Sequence, residues 1–321
     1  MKNTNVYCDV TAVIITYNEE ERIESCIRSI IDVFSKSGLK YEIILVDSSS
    51  EDRTISIAEK YPIKIISLKR HRSPSLGQYV GFINSEGDAV MFIDGDMELI
   101  MDSNKISYFL DKLDDKVAGL QGYFIDYQAD GSKSYHNMVN RETEVSFLSG
   151  YGLYSRASLL KETFNPFLYS NEERDLGYRL KDEGFSLLRI PVAMVNHYRR
   201  ESSSGLSEIL RRYRNNFFKG SGQIFRSQKT LSSFFRHLYY YKFDFIFSFS
   251  LVLLFLSLFY YNENFIIAIL FSHFFLISYY KFRYGNIGRY FLKYFISWGI
   301  LTGFLTYRKH KIEYEVIRSN A

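Results

Sequence analysis

Asp94-Gly95-Asp96 follows directly on the apolar run Ala89-Val90-Met91-Phe92-Ile93, so two carboxylates stand where a buried strand ends. Carboxylate oxygens held rigidly at the mouth of a cleft suit a hard divalent cation, and a glycine between them allows a tight backbone turn. The chemistry this triplet offers is a metal site that neutralises a diphosphate. An isolated Asp-x-Asp also occurs in turns that bind nothing, so its weight depends on what else the chain brings to the same place.

The elements needed to position it are legible as short apolar runs alternating with helix-period segments. Val10 to Thr16 reads as a buried strand, Glu19 to Phe34 as a helix with Ile23, Ile27, Ile30 and Ile31 on one face, and Tyr41 to Val46 as a second strand. A helix over Arg53 to Tyr61, a strand over Ile63 to Leu68, a helix over Leu76 to Asn84 and a strand over Ala89 to Ile93 complete the rhythm. Alternating β and α elements imply an α/β fold with a doubly wound sheet and a ligand crevice at the carboxyl ends of its strands. Tyr17-Asn18-Glu19, Asp47-Ser48-Ser49-Ser50 and Asp94-Gly95-Asp96 each follow one of those strands, so three loops converge where such sheets bind nucleotides.

The segments VIITYNEEERIESCIRSI, EIILVDSSSEDRT, GDAVMFIDGDMEL, LSGYGLYSR and NEERDLGYRLKDEGF, in this order, resemble family 2 glycosyltransferases of the GT-A fold. The likeness runs from about Val10 to about Tyr198. It implies an inverting enzyme with a nucleotide-sugar donor, a UDP-sugar first among them, and Mg²⁺ or Mn²⁺ held through Asp94 and Asp96. By the same resemblance Tyr17, Glu19 and Asp47 line the nucleotide pocket and Asp94 also faces the donor, Glu173 is the catalytic base with Glu172 as its alternate, and His197 completes the metal shell. Imidazole is an acceptable ligand for Mn²⁺. Gly150-Tyr151-Gly152 resembles the small-residue acceptor loop of the family. The chain departs from the family where Ser48 replaces a second acidic residue, and where Gly77-Gln78-Tyr79-Val80-Gly81 stands for Ala-Arg-Asn-x-Gly. Arg70, His71 and Arg72 are candidates for the missing donor contacts.

Glycosyl transfer needs the leaving diphosphate neutralised and the acceptor hydroxyl relieved of its proton. Glu172-Glu173-Arg174-Asp175 at a helix start is the candidate source of that base, although acidic residues also favour such a position through the helix dipole. Where the acceptor is a polyprenyl phosphate, already ionised, no base is required. Nucleotidyl transfer and a catalytically degenerate binding module are the readings from other classes.

Charge divides the chain. Residues 1–230 carry 30 Lys/Arg against 32 Asp/Glu, whereas 231–321 carry 10 against 4. Because the basic excess falls among long apolar, Phe- and Tyr-rich runs, it points to a membrane rather than to nucleic acid, which is not expected as a partner. The expected domains are therefore a cytoplasmic transferase over 1–230 and a C-terminal membrane region over 231–321. That region reads as a hairpin of 243–261 and 265–280 plus an interfacial segment over 290–307, interrupted by Lys293. Arg236, His237 and Lys242 before the hairpin, and Lys281, Arg283 and Arg289 after it, place both of its ends in the cytoplasm. Arg199, Arg200, Arg211, Arg212 and Arg214 suit diphosphates or anionic headgroups. No secretory signal is visible, and Cys8 and Cys26 indicate no disulfide framework. The expected location is the cell membrane, with a lipid-linked or surface-glycan acceptor.

Overall fold

The computed structural model describes residues 8–69, 72–128, 130–198, 206–228, 230–242, 244, 249–250, 252–253, 256, 263–284 and 288–319. In chain order the elements begin with β1 (Val10–Thr16), α1 (Ile23–Ser35), β2 (Tyr41–Asp47), α2 (Thr54–Ala58), β3 (Lys64–Leu68), α3 (Pro74–Ile83) and β4 (Ala89–Asp94). There follow β5 (Met97–Leu99), α4 (Ser103–Asp111), β6 (Val117–Tyr127), β7 (Lys133–His136), β8 (Thr143–Val145), β9 (Gly152–Ser155), α5 (Arg156–Lys161), α6 (Glu172–Asp182) and β10 (Ser186–Tyr198). The rest are α7 (Leu206–Arg214), α8 (Lys219–Ser227), α9 (Leu231–Tyr240), α10 (Glu263–Tyr284), α11 (Gly288–Thr306) and β11 (Tyr314–Arg318).

One eleven-stranded mixed sheet runs in the order β11-β3-β2-β1-β4-β9-β6-β10-β5, with β7 and β8 paired at its side. Strands β3, β2, β1 and β4 are parallel, as the alternating rhythm requires, and β9 enters antiparallel to β4. All seven residues of β1 are buried. Its alternate side chains feed two separate cores, Val10, Ala12 and Ile14 on one face of the sheet and Val13 and Ile15 on the other. A strand covered on both faces has no polar side to show, which is why it reads as a continuous apolar run. Helix α3 begins at Pro74 with Ser73 as cap, the Ser73 hydroxyl accepting from the Leu76 N–H at 3.1 Å. A Cβ on Gly81 would lie 2.2 Å from Val13 Cγ1, so a glycine is what lets α3 sit down on β1.

Three expectations are corrected here. The first helix starts at Ile23 rather than Glu19, because residues 19–22 form a turn in which the Glu19 carbonyl accepts from both Arg22 and Ile23 while its own N–H donates to Thr54 at 2.7 Å. The chain does not divide at 230. One unit comprises Met1–Leu168, Glu172–Glu201 and Lys309–Ala321, and the other comprises Tyr169–Asn171 and Ser202–Arg308. The end of the expected membrane region is in fact the edge strand β11, with Tyr314 opposite Leu68 and Val316 opposite Ile66. Five residues suffice for such a strand once β3 offers a template, and pairing across the sheet edge leaves no local mark in sequence.

The second unit is helical. The first hairpin arm, 243–261, lies largely outside the described residues, while 265–280 falls within α10 and 290–307 largely within α11. Among the described residues no helix is long and apolar enough to cross a membrane. Ser272, His273, Ser278, Tyr279 and Tyr280 dilute the apolar run of α10. Lys293, which interrupts the third segment, pairs with Asp244 at 2.8 Å.

Candidate active site

Register brings the three loops together. Thr16 of β1 lies beside Asp47 of β2, and Ile15 lies beside Asp94 of β4, so Tyr17, Asp47 and Asp94 leave adjacent strands at one level. Two of the loops are stapled to each other. The Asn18 N–H donates to the Ser50 hydroxyl and the Asn18 side-chain oxygen accepts from the Glu51 N–H, both at 2.8 Å, while the Glu20 N–H reaches Asp52 at 3.0 Å. Asn18 (φ 54°) and Ser49 (φ 59°) adopt left-handed conformations that these bonds support.

Asp47 is fully buried, and its carboxylate accepts from the Ser50 N–H at 2.8 Å and from the Ser50 hydroxyl. Burial raises its pKa, against the pull of those same bonds. Tyr17 is 42% exposed and carries the Arg72 guanidinium 5.2 Å from its ring centroid, with an Arg72 N–H donated to its hydroxyl at 3.1 Å. A flat aromatic surface backed by a cation is a fitting platform for a base or ribose. Arg70 and His71 lie outside the described residues. Gln78, where the family has Arg, is buried with its side-chain oxygen unbonded among the described residues, and so offers no cation.

The acidic centre is built differently. A Cβ on Gly95 would stand 2.9 Å from the Thr16 hydroxyl and 3.2 Å from Glu19 Cγ. Gly95 is absent from the positive-φ residues, so lack of room between β1 and Glu19, and not a left-handed turn, is what demands glycine between the aspartates. Across the cleft, the position of a Cβ on Gly150 is 3.3 Å from both Asp94 Oδ2 and Glu173 Oε1. The carboxylates of β4 and α6 therefore converge on one bare stretch of backbone. Helix α6 is fixed by Arg179, which grips Asp175 at 2.8 Å and also Glu162, and by Gly177, whose missing side chain admits Ser146 and Phe147. Asp175 is thus committed to an ion pair.

Glu172, next to Glu173, is buried with Oε2 lacking a partner, and Asp96 Oδ1 is likewise buried and unpartnered among the described residues. Burial, then the charges of Asp96 and Glu173, raise Asp94 well above the carboxylate range. Burial, then Glu173, does the same to Glu172, and burial raises Glu173. Like charges crowded out of water hold protons or recruit a cation.

His197 sits beside this cluster in β10, directly opposite Asp126 of β6. Its Nδ1 is 2.8 Å from Asp126 Oδ1 and its Nε2 is 3.4 Å from Asp96 Oδ2. Burial opposes the charge on the ring, but the bonds to Asp96 and then Asp126 outweigh it, and the imidazole is pushed up to about 9. Asp126 is fully buried and also accepts from Gln128 at 2.8 Å. Sequence reasoning missed it, although an aspartate near the end of an eleven-residue, largely buried strand was the available signal. Among the described residues no three His, Cys, Asp or Glu groups gather closely enough to hold a metal ion.

The fold is similar to that of solved structures. S. aureus TarS 1-349 in complex with UDP is 17% identical with TM-score 0.53, covering 93% of this chain and 91% of that one. GalNAc-T7 with UDP, GalNAc and Mn²⁺ is 13% identical with TM-score 0.51, over 73% and 48%. These likenesses define the class of fold, the mixed α/β sheet of GT-A glycosyltransferases. Residues 11–172, half of the chain, match the model described as Glycosyl transferase family 2, and the chain belongs to that family. A dolichol-phosphate mannosyltransferase of Pyrococcus furiosus is 36% identical over 93 residues, 28% of this chain and 26% of the relative. An undecaprenyl-phosphate 4-deoxy-4-formamido-L-arabinose transferase of Edwardsiella ictaluri is 25% identical over 225 residues, 63% of this chain and 64% of the relative. The chain thus spans less than two thirds of the length of either.

Proposed function

We propose that this chain is an inverting, metal-dependent glycosyltransferase that moves a sugar from a nucleoside-diphosphate donor, a UDP-sugar first among them, to a lipid-linked or surface-glycan acceptor. The observation that carries the reading is the convergence of Asp94 and Glu173 on the bare backbone of Gly150. In the transfer the anomeric carbon's bond to the diphosphate oxygen breaks, the electron pair leaves with the nucleoside diphosphate, and the acceptor oxygen bonds to the opposite face of that carbon. Glu173 takes the acceptor's proton, and its raised pKa is the tuning a general base requires. Tyr17 and Arg72 offer a platform for the nucleoside, with Glu19 and Asp47 shaping its loops.

The unpartnered Asp96 oxygen and the crowded negative charge at Asp94 fit a hard divalent cation by donor type. Asp94, Asp96 and His197, which as they stand are not gathered closely enough, would have to draw together to hold Mg²⁺ or Mn²⁺, which would supply Lewis-acid stabilisation of the leaving diphosphate. An imidazolium has no lone pair to give, so His197 must surrender its Nε2 proton before it can ligate. In support of the donor, two structural neighbours were solved with UDP.

Two relatives carry dolichol phosphate and undecaprenyl phosphate in their names, which favours a second reading in which the acceptor is itself a lipid phosphate. A membrane setting, with the transferase domain in the cytoplasm, belongs to the same proposal. It is supported by the large apolar side chains that α10 leaves exposed, Ile267, Phe271, Phe274 and Phe275 among them.

A panel of nucleotide-sugars, with and without Mn²⁺, read by release of nucleoside diphosphate, tests the activity. Metal-dependent release from one donor is expected, and silence across the panel with no nucleotide bound would refute it. Glu173→Gln separates the acceptors. A hydroxyl acceptor loses about 10²-fold or more in rate, whereas a phosphate acceptor, already ionised, is turned over as before.

A further inference from the structure

Between the end of α7, the start of α8 and the middle of α11 lies a cavity of about 200 Å³ that the transfer chemistry does not use. Among the described residues its wall carries two cations, Arg214 and Lys219, together with Tyr213, Trp298 and Thr302, whose hydroxyl donates to the Trp298 carbonyl at 2.8 Å, and no carboxylate. The cations reach it from both sides of one turn. Asn216, at φ 59°, reverses the chain between α7 and α8, with Lys219 N–H donating to the Asn216 carbonyl at 2.9 Å.

Glycines set the third wall. A Cβ on Gly299 would stand 2.4 Å from the Phe218 carbonyl oxygen, and one on Gly303 would stand 2.0 Å from that of Lys219. The Gly299-x-x-x-Gly303 face of α11 is therefore consumed by close packing on α8, within this unit. Trp298 and Thr302, on the same helix, line the cavity that the two cations line. Trp298 is 54% exposed, and Leu301 and Leu305 continue its exposed stripe at helical spacing.

Two cations on the wall of one pocket recognise a phosphate. A phosphate pocket that opens beside a stripe of Trp, Leu and Leu recognises one carried on an apolar chain, with the indole at the boundary between head and tail. A nucleotide or phosphopeptide would meet the side chains of Trp298, Leu301 and Leu305 along that stripe, with the neighbouring Thr302 and Thr306 hydroxyls already donated to helix carbonyls. We infer that this cavity binds the phosphate head of a lipid through Arg214 and Lys219, with the first part of its tail along Trp298, Leu301 and Leu305. The head has two possible sources, a bilayer phospholipid or a lipid monophosphate.

Trp298 is the single tryptophan of the chain, so its fluorescence reports on this cavity alone. The full-length protein is titrated with inorganic phosphate, with farnesyl monophosphate below its micellar concentration, with phosphatidylcholine vesicles, and with vesicles containing phosphatidylglycerol. A blue shift of Trp298 with farnesyl monophosphate, or with phosphatidylglycerol far more tightly than with phosphatidylcholine, supports the site, and the responding probe names the source. Arg214→Gln with Lys219→Gln should weaken that response by about 30-fold, each cation being worth roughly 1 kcal/mol at an anionic surface. The charge-preserving pair Arg214→Lys with Lys219→Arg should keep most of it, which separates lost charge from lost fold. Four results overturn the proposal: no shift with any lipid phosphate, equal response to both vesicle types with none to farnesyl monophosphate, inorganic phosphate binding as tightly as the lipid, or an undiminished response in the glutamine pair. All four are read from binding, so the outcome is independent of whether sugar transfer is observed.

Discussion

Asp47 and Asp94 end two strands that flank the same central strand, yet the carboxylates they introduce live in opposite circumstances. Around Asp47 the bonding is complete, since Ser50 supplies both an N–H and a hydroxyl to it. Around Asp94 the carboxylates outnumber the donors, with Asp96 Oδ1 and Glu172 Oε2 both buried and unpartnered among the described residues. Asp47 is a buried carboxylate whose charge is met by donors, whereas the cluster at Asp94 holds buried carboxylate oxygens that no donor meets among the described residues. Position at a strand end does not distinguish the two. The surrounding donors do.

The largest effect that tests this contrast is expected at Asp96. Asp96→Ala should lower metal-dependent release of nucleoside diphosphate by about 10³-fold, corresponding to several kcal/mol of Lewis-acid stabilisation. Steady-state kinetics should show Asp47→Ala falling far less, and an equal loss at both positions would break the comparison. Next comes Asp126, whose bond to His197 Nδ1 orients that ring toward Asp96. Asp126→Ala should weaken Mn²⁺ binding by about 10- to 100-fold in calorimetry, with circular dichroism unchanged. Retained affinity would make Asp126 a purely structural residue.

Stability supplies the smaller tests, and here the two sides should differ in sign. Asp47→Ala leaves the Ser50 N–H unbonded and should cost about 1–3 kcal/mol in urea denaturation. Glu172→Gln removes a buried, crowded charge and should leave the metal-free protein as stable or more so. The pH dependence follows from the same cluster. Raised carboxyl pKa values at Asp94, Glu172 and Glu173 mean that the folded state binds more protons than the unfolded one, so stability falls as pH rises through them. His197 acts in the same direction, its contribution being complete below its ordinary 6.5 and lost as pH rises through about 9. Thermal melts of the metal-free protein should therefore decline by a few degrees from pH 6 to pH 9, and Mn²⁺ should stabilise more at the higher pH, where it no longer competes with protons. A melt that is flat in pH, with a metal effect equal at both ends, would count against the crowded cluster.

Much of this was legible in the chain itself. The four parallel strands of the first half announce themselves because burial on both faces forces continuous apolar runs, and the polar triplets that follow them could be placed in one crevice by topology alone. Family motifs named Asp94, Asp96 and Glu173, and the structure brings Asp94 and Glu173 to one point at Gly150. Gly95 was visible as a requirement, although for a different reason, since crowding by Thr16 and Glu19 is a contact between loops that no local rule contains.

What only the tertiary structure decided are the relations between residues far apart in sequence. The pairing of Asp126 with His197 spans 71 positions and depends on the register of β6 against β10. The return of Tyr314–Arg318 to the edge of β3 depends on an exposed template that the strand's own five residues cannot reveal. The spending of Gly299 and Gly303 on a helix crossing, which leaves Arg214, Lys219 and Trp298 around one cavity, depends on which helix arrives there. Sequence periodicity fixes which face an element must bury, because burial is a local ledger of apolar and polar positions. Which partner covers that face, and which charges meet across it, is settled by packing of the whole chain.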